Sequence, residues 1–294
     1  MRLLHSLPPY NLFGIEEQDY DSARVAVLPV PYDSTASYRS GARDGPHAII
    51  QASRNIELYS EELGADISKI GIYTLDELEP DVNSAEGMAK RIEKEVSIIL
   101  GDSKVPFLLG GDHSISIGAI RAVAGSAPAK SFSVLHFDAH SDSRNEYMGS
   151  RYSHACVTAR ARELAKNCYS VGVRSVDEDS ADAYRKEMLY MSDVKKLGIE
   201  KTADVIVKNT EKDVYLTIDL DVLDPGIMPS TGTPEPDGMD FQTITGILKL
   251  VLKKKRLLGL DMTELCPIPG MVAPDYTAAK LAYLLLGYAS LERK

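Results

Sequence analysis

The sequence alternates continuously apolar segments of strand length with segments of helical periodicity. The apolar segments lie at residues 24–30, 69–73, 105–111, 131–138, 169–174, 214–221 and 256–264. Uninterrupted apolar runs of this length are typical of strands that are covered on both faces. The helical segments lie at residues 83–101, 114–124, 176–190, 240–254 and 275–292. Strands that alternate with helices predict an α/β fold in three layers, α/β/α, with a mainly parallel sheet between two layers of helices.

We expect residues 1–294 to form one domain, because no linker, repeat or low-complexity segment interrupts the alternation. The helix at 83–101 has a start signal of its own, in which Asn83 is the predicted cap and Glu86 follows three residues later. Residues 30–47 and 224–240 carry turn-forming residues without periodicity, which indicates ordered surface loops. Loops of this length often line functional sites.

Charge and cysteine content limit the classes of partner and compartment. The chain has 33 Lys and Arg against 43 Asp and Glu, a net charge of −10, which disfavours a nucleic-acid-binding scaffold. Cys156, Cys168 and Cys266 form no CxxC pair and are odd in number, which argues against a disulfide framework and against a thiolate zinc site. No apolar run approaches the roughly 18 residues of a membrane span, and the first residues lack the pattern of a signal peptide. We therefore expect a cytoplasmic protein with no membrane partner.

The strongest local signal is the acidic and histidine cluster that follows the apolar strand 131–138. Asp138, His140 and Asp142 are spaced two residues apart. On a helix such positions lie about 200° apart, so the side chains would diverge, whereas in extended or loop backbone they can converge on one point. The alternative is that these acids are solvated or cap a following helix.

Two further strand ends carry residues of the same kind. Asp219 and Asp221 close the segment 214–221, where paired carboxylates would repel each other unless a positive charge lies between them. His113 follows two glycines after the strand 105–111, and we expect these glycines to let the backbone approach a ligand closely. Taken alone, the acids could be solvated and His113 could be a structural histidine. Together they place ligand-type side chains at the carboxyl edge of one sheet, where open α/β sheets bind ligands.

The charge of this set suggests the metal content. The four acids Asp138, Asp142, Asp219 and Asp221 balance two divalent cations, and an oxygen-rich set with two imidazoles suits Mn²⁺ better than Zn²⁺, Co²⁺ or Ni²⁺. Two metals about 3.5–4 Å apart would lower the pKa of a shared water. The chemistry that this pattern indicates is metal-assisted hydrolysis.

Six short motifs in order along the chain carry a family resemblance. They are GARDGP at 41–46, GGDHS at 110–114, DAHSD at 138–142, SHA at 153–155, IDLDVLDP at 218–225 and TGTPEP at 231–236. Over residues 25–290 the sequence resembles the ureohydrolase family of arginases and agmatinases. The resemblance implies an arginase-type α/β/α fold, a centre of two Mn²⁺ ions per chain, hydrolysis of a guanidinium group to urea, and assembly into homotrimers or homohexamers.

The resemblance also implies roles for individual residues. One Mn²⁺ would be held by His113, Asp138, Asp142 and Asp219, and the other by His140, Asp138, Asp219 and Asp221. Asp142 would help to pass a proton to the leaving nitrogen, His154 would act as a proton shuttle, and Glu264 would pair with the guanidinium group. The sequence departs from the family at Cys266, and at Ser230 and Asp237, where glycine is common, which leaves the local loop shape open.

The substrate expected from the resemblance is agmatine, a small cationic guanidinium compound, with urea and putrescine as products of a polyamine pathway. Arg144 stands where arginases typically place an asparagine, so the segment resembles agmatinases instead. Arg144 is either a solvated surface residue or a partner for a substrate carboxylate, and Glu146 would contribute to an acidic mouth that suits a cation.

Several alternatives stay open from the sequence. They are an arginase, a ureohydrolase of aminopropylagmatine or of another guanidino compound, a single-zinc amide deacylase, and a non-catalytic ureohydrolase-like regulator. His136, two residues before Asp138, is either a core histidine or a partner for a metal ligand.

Overall fold

The computed structural model describes residues 7–128 and 130–290. Its strands are β1 (Val25–Val30), β2 (Tyr59–Ser60), β3 (Ala65–Asp66), β4 (Ile72–Thr74), β5 (Val105–Gly110), β6 (Ser133–Phe137), β7 (Asn167–Val173), β8 (Met188–Tyr190), β9 (Asp213–Asp219) and β10 (Arg256–Thr263). Eight of them form one sheet in the order β4-β1-β5-β10-β9-β6-β7-β8, and β2 and β3 form a small antiparallel pair. Every pairing in the large sheet is parallel.

Helices cover both faces of this sheet, which confirms the predicted α/β/α arrangement. They are α1 (Gly45–Ser53), α2 (Ala85–Gly101), α3 (Ile115–Ser126), α4 (Val157–Leu164), α5 (Glu178–Tyr184), α6 (Met191–Asn209), α7 (Phe241–Leu252) and α8 (Ala273–Ser290). The apolar faces of α1, α6, α7 and α8 pack into one core, and those of α2, α3 and α4 pack into the other. In β5, Phe107 and Leu109 point into the first core and Leu108 into the second, because successive strand residues face opposite sides. No helix in the described residues combines the length and apolar character that crossing a membrane requires.

Some predicted elements differ from the structure. Helix α2 begins at Ala85 and its cap is Ser84, whose hydroxyl accepts from the backbone N–H of Gly87, so the prediction of Asn83 as the cap was wrong by one residue. The predicted strand at 69–73 is reduced to β4, because residues 67–70 form a 3₁₀ turn. The predicted helix at 176–190 divides into α5, a 3₁₀ turn and β8.

Helices α1, α4 and α6 had no sequence prediction. Gly198 interrupts α6 with φ 73°, so its apolar positions do not follow a single helical period. Helix α1 begins inside the segment 30–47, which is therefore only partly a loop.

The order of the strands determines where the site lies. Strands β5, β10, β9 and β6 are consecutive neighbours at the centre of the sheet, and their carboxyl ends meet at the same edge. After β5, Gly111 lies against the backbone of Tyr32, and a Cβ atom there would stand 2.0 Å from the Tyr32 carbonyl oxygen. The close approach of the loop after β1 therefore requires this glycine, and its approach to a ligand stays a prediction.

Candidate functional site

The carboxyl ends of β5, β6 and β9 bring three of the predicted metal ligands, all aspartates, around a ring nitrogen of a fourth, His113. Nδ1 of His113 lies 3.1 Å from Asp138 Oδ2, 3.2 Å from Asp142 Oδ2 and 3.3 Å from Asp219 Oδ2. All four side chains are at least nine-tenths buried. The backbone turns sharply at Asp142, which has φ 46°. This turn lets Asp138 and Asp142, the two acids of the DAHSD segment, both reach Nδ1 of His113.

The other two predicted ligands adjoin this group and share Asp138 with it. Nδ1 of His140 lies 2.8 Å from Asp221 Oδ2 and 3.5 Å from Asp138 Oδ1. The backbone holds both acids, since Asp221 accepts from the N–H of Ala139 and Asp138 from that of His140. The predicted ligands thus form two adjoining groups that meet at Asp138.

His136 belongs to the first group as well. Its ring stacks on that of His113 with centroids 5.2 Å apart, and its Nε2 lies 2.8 Å from Asp138 Oδ2. Its Nδ1 lies 3.0 Å from the hydroxyl of Ser170. Of the two sequence interpretations, the one in which His136 is a partner of a ligand carboxylate agrees with this position.

Charge and burial oppose each other in the cluster. Burial and the adjacent charges of Asp221 and Asp138 raise the pKa of Asp219 well above its usual value. Burial also acts to raise the pKa of Asp138, but the surrounding histidines, His136 first among them, outweigh it and hold that pKa well below its usual value. Burial lowers the pKa of His140, but the charges of Asp221 and Asp138 outweigh it and raise the pKa to about 12. Buried carboxylates this close require positive charge between them.

Three buried atoms of the cluster test whether a cation fits. His113 Nδ1, His136 Nε2 and Asp138 Oδ2 have no partner with hydrogen-bond geometry within the described part of the chain. Buried polar atoms are almost always paired, so three orphaned atoms converging on one point are the arrangement that a metal ion would satisfy. Ligand atoms of His113, His136, Asp138 and Asp142 lie within 4.8 Å of one another, as do those of Asp138, His140 and Asp221. The cluster could therefore bind metal.

A second layer of polar residues, which sequence analysis missed, supports His113. Its Nε2 lies 2.7 Å from the hydroxyl of Thr217, which donates at 2.6 Å to Asp261 Oδ1, and Tyr215 donates at 2.6 Å to Asp261 Oδ2. These residues lie inside β9 and β10 and are fully buried. An acid in the middle of the apolar segment 256–264 was the available sequence signal, because a buried carboxylate needs partners.

A cavity of about 330 Å³ opens onto the cluster of predicted metal ligands. His154, Glu264 and Arg144 line it together with His140, Asp142, Asp219 and Asp221, and Asp177 lines it as well. The guanidinium carbon of the exposed Arg144 lies 5.4 Å from the centre of the Tyr147 ring. Arg144 therefore belongs to the cavity wall. Glu146 is exposed and is not one of the described residues that line the cavity.

His154 and Glu264 approach the cavity from different elements. Nδ1 of His154 lies 3.2 Å from the hydroxyl of Thr35, and its Nε2 lies 3.4 Å from that of Ser37. Glu264 follows β10 with φ 67°, and its Oε1 accepts from the backbone N–H of His113 at 2.7 Å. Burial and the charge of Asp112 raise the pKa of Glu264 well above its usual value.

The departures from the family pattern leave this geometry in place. Asp237 adopts φ 71°, the left-handed region that glycine favours, so the glycine conformation is kept without the glycine. Ser230 is fully buried, and its carbonyl accepts from the backbone N–H of Cys266 at 2.8 Å.

Comparisons with known proteins agree with this arrangement. An arginase-family model matches residues 23–287. An N(1)-aminopropylagmatine ureohydrolase of Thermus thermophilus is 37% identical over 285 residues, 96% of this chain and 95% of the relative. An agmatinase of Pyrococcus horikoshii is 32% identical over 285 residues, 96% of this chain and 98% of the relative. Among solved structures, the agmatine ureohydrolase of Thermoplasma volcanium superposes with a TM-score of 0.87 at 33% identity, covering 98% of this chain and 96% of that one. The chain belongs to the arginase family and is an agmatinase-like ureohydrolase, a hydrolase that acts on guanidino compounds.

Proposed function

We propose that this enzyme hydrolyses agmatine to urea and putrescine and uses two Mn²⁺ ions for the reaction. The observation that carries the proposal is the position of Glu264 on the wall of the same cavity as the metal-ligand cluster. A carboxylate beside a cluster of metal ligands can hold a planar cationic guanidinium group against that cluster. The proposed ligands are His113, Asp138, Asp142 and Asp219 for one ion, and His140, Asp138, Asp219 and Asp221 for the other.

The residues of the chain would divide the work of hydrolysis as follows. Two divalent cations, when bound, supply an activated water and a Lewis acid. Glu264 binds and orients the guanidinium group of the substrate. Asp142, between the cluster and the cavity, receives a proton of the attacking water, and His154 delivers a proton to the nitrogen that leaves. The carbon–nitrogen bond then breaks, and urea and a protonated amine leave the site.

Charge on the cavity wall supports a substrate without a carboxylate. Asp177, on the same wall, can pair with the ammonium group at the far end of agmatine. Asp177 is ionised at neutral pH because its pKa is lowered: burial raises it, but hydrogen bonds from Ser180 and the charge of Arg144 outweigh burial. The positive charge of Arg144 acts on Asp177, so a carboxylate of the protein itself partly balances it.

Aminopropylagmatine is the second candidate substrate. The relative from Thermus thermophilus is named for that compound. Arginine and guanidinobutyrate are disfavoured, because each brings a carboxylate to a site that already contains several acids.

The test is urea release by the Mn²⁺-loaded enzyme with agmatine, aminopropylagmatine, arginine and guanidinobutyrate at equal concentration. The highest kcat/KM for agmatine supports the first candidate, and the highest value for aminopropylagmatine replaces it with the second. Preference for arginine would contradict both, as would the absence of urea with every substrate. Metal analysis of the same sample is expected to give about two Mn per chain, whereas a single zinc would indicate a deacylase.

Two properties of the whole molecule remain part of this proposal. We propose a homotrimer or homohexamer, since homo-oligomers form closed symmetric assemblies, and light scattering after size-exclusion chromatography measures the assembly. We also propose action in the cytoplasm, in keeping with a polyamine pathway.

A further inference from the structure

His154 is joined to a buried carboxylate through one hydroxyl group. The hydroxyl of Thr35 donates to Asp112 Oδ2 at 2.9 Å. The hydroxyl oxygen of Thr35 also accepts from the backbone N–H of His154 at 3.0 Å and lies 3.2 Å from Nδ1 of the His154 ring. Thr35 belongs to the loop after β1 and Asp112 to the turn after β5, so three separate segments meet at this oxygen.

The contacts of Asp112 determine the direction of these hydrogen bonds. Its side chain is fully buried and accepts from four donors. The backbone N–H and the hydroxyl of Ser114 donate to Oδ1, and the backbone N–H and the hydroxyl of Thr35 donate to Oδ2. Each oxygen of Asp112 thus accepts from one backbone N–H and from one hydroxyl group. The only hydrogen of the Thr35 hydroxyl is therefore directed at Asp112.

The direction at Thr35 then fixes the tautomer of the His154 ring. A hydroxyl whose hydrogen is committed to Asp112 can only accept from its other neighbours, so Nδ1 of His154 must carry a hydrogen. The hydroxyl of Ser153 lies farther from Nδ1, at 3.4 Å. In the neutral ring Nε2 is then the nitrogen with the lone pair, and its neighbour among the described residues is the hydroxyl of Ser37 at 3.4 Å. The edge of the Tyr147 ring, with its centroid 5.8 Å from that of His154, limits the ring from the side.

We propose that Thr35 and Asp112 are positioning residues that hold His154 as the Nδ1–H tautomer, with Nε2 available in the cavity to take up and release a proton. The role of His154 in catalysis rests on the proposed function, whereas its tautomer is inferred from the hydrogen bonds alone. In each turnover Nε2 of the imidazolium gives its proton to the leaving nitrogen as the carbon–nitrogen bond breaks, and the departing amine takes a second proton from the hydroxyl group on the urea carbon. Nε2 then regains, through solvent, the proton that the attacking water gave to Asp142. Throughout this exchange Nδ1 keeps its hydrogen, because Thr35 accepts it. This assigns a role to Asp112, a buried acid that the cluster of proposed metal ligands does not use.

The first test is a direct measurement of the tautomer in the wild-type chain. The full-length protein is labelled with ¹⁵N-histidine, loaded with diamagnetic Zn²⁺ and studied by NMR at a pH where His154 is neutral. The His154 signals are assigned by their loss in His154→Asn. The expected result is the pattern of shifts of the Nδ1–H tautomer, and the Nε2–H pattern would overturn the proposal. This outcome does not depend on which substrate the enzyme cleaves.

The second test is kinetic and uses Thr35→Val, which removes the hydroxyl but keeps the shape of the side chain. The expected result is a fall in kcat of about 10- to 100-fold with KM and metal content unchanged, and Thr35→Ser is expected to restore most of the loss. Thr202→Val is the matched control, because Thr202 is fully buried in α6 and its hydroxyl has no partner in the described residues.

The outcomes separate this proposal from the proposed function. If the wild type releases urea and Thr35→Val keeps the wild-type kcat, the positioning role is wrong. If Thr35→Ser is as slow as Thr35→Val, the hydroxyl does not act as inferred. If the wild type releases no urea from any guanidino compound, the proposed function fails, and the NMR measurement alone decides the tautomer.

Discussion

The hydroxyl of Thr217 lies 2.7 Å from Nε2 of His113 and donates its own hydrogen to Asp261 Oδ1 at 2.6 Å. It can therefore only accept from His113, so Nε2 carries a hydrogen and Nδ1 is the nitrogen that faces the three carboxylates. Partners of this kind orient histidine ligands and raise their basicity. Thr217 thus fixes the tautomer of His113 as Thr35 fixes that of His154. In His113 the nitrogen without a hydrogen, Nδ1, faces the proposed metal.

Thr217→Val is expected to weaken metal binding by about 10- to 100-fold, because the ring of His113 loses the acceptor that holds it in place. Calorimetric titration of the metal-free chain with Mn²⁺ measures the affinity. Thr217→Ser keeps the hydroxyl and is expected to bind as the wild type does. An unchanged affinity in the valine variant would show that the buried contact is structural only.

His113 and His140 are expected to contribute about two of the protons that each chain releases when metal binds at neutral pH. In the metal-free chain burial acts to lower the pKa of His113 and of His140, but neighbouring carboxylates outweigh it in both, raising that of His113 well above its usual value and that of His140 to about 12. Both rings are then imidazolium ions and must lose a proton to become ligands, so affinity rises as pH rises. Calorimetry in buffers of different ionisation enthalpy counts the protons.

The control for this count is His47→Gln, because His47 lies outside the cluster and bonds to Tyr10. It is expected to leave the number of protons unchanged. His140→Asn is expected to lower the number by about one. A wild-type count near zero would mean that the histidines are already neutral before the metal binds.

Asp221→Asn is expected to reduce activity by more than the roughly 100-fold limit typical of residues that only support a ligand. The amide keeps an oxygen that can accept from the N–H of Ala139, so the turn after β6 is preserved while the charge is lost. Circular dichroism checks that the fold is retained, and Asp204→Asn on the exposed side of α6 is the control. Wild-type turnover in the Asp221 variant would contradict the proposed ligand set.

The parts of the fold that could be predicted are those that depend on local pattern. Continuous apolar runs identified the central strands, and the spacing of Asp138, His140 and Asp142 at a strand end pointed to a shared site. Helix α6 had no prediction because Gly198 breaks its periodicity. The position of Glu264 in the site was expected only from the family resemblance, because nothing in its local sequence distinguishes it from a surface acid.

The residues that contact His113 and His154 from behind could not be predicted, because these contacts depend on the register between strands or on the packing of loops. Thr217 and Asp261 are 44 residues apart and meet because they are paired across β9 and β10. Thr35 and His154 are 119 residues apart and meet only through the packing of two loops. The sequence contains the chemical groups, but the register and the loop packing decide which of them touch.

Glu264→Gln is expected to lower kcat/KM by about 10- to 100-fold, since a hydrogen bond to a charged group contributes about 1.5–3 kcal/mol and each 1.4 kcal/mol corresponds to a factor of ten. Glutamine keeps an oxygen that can accept from the N–H of His113, so the turn after β10 is preserved and only the charge that meets the guanidinium group is removed. Steady-state kinetics measures the loss, and metal titration is expected to give the wild-type affinity. Glu200→Gln, on the exposed side of α6, is the matched control. If KM and kcat both stay at the wild-type values, Glu264 does not contact the substrate. The guanidinium group must then be oriented by another carboxylate on the cavity wall, for example that of Asp177.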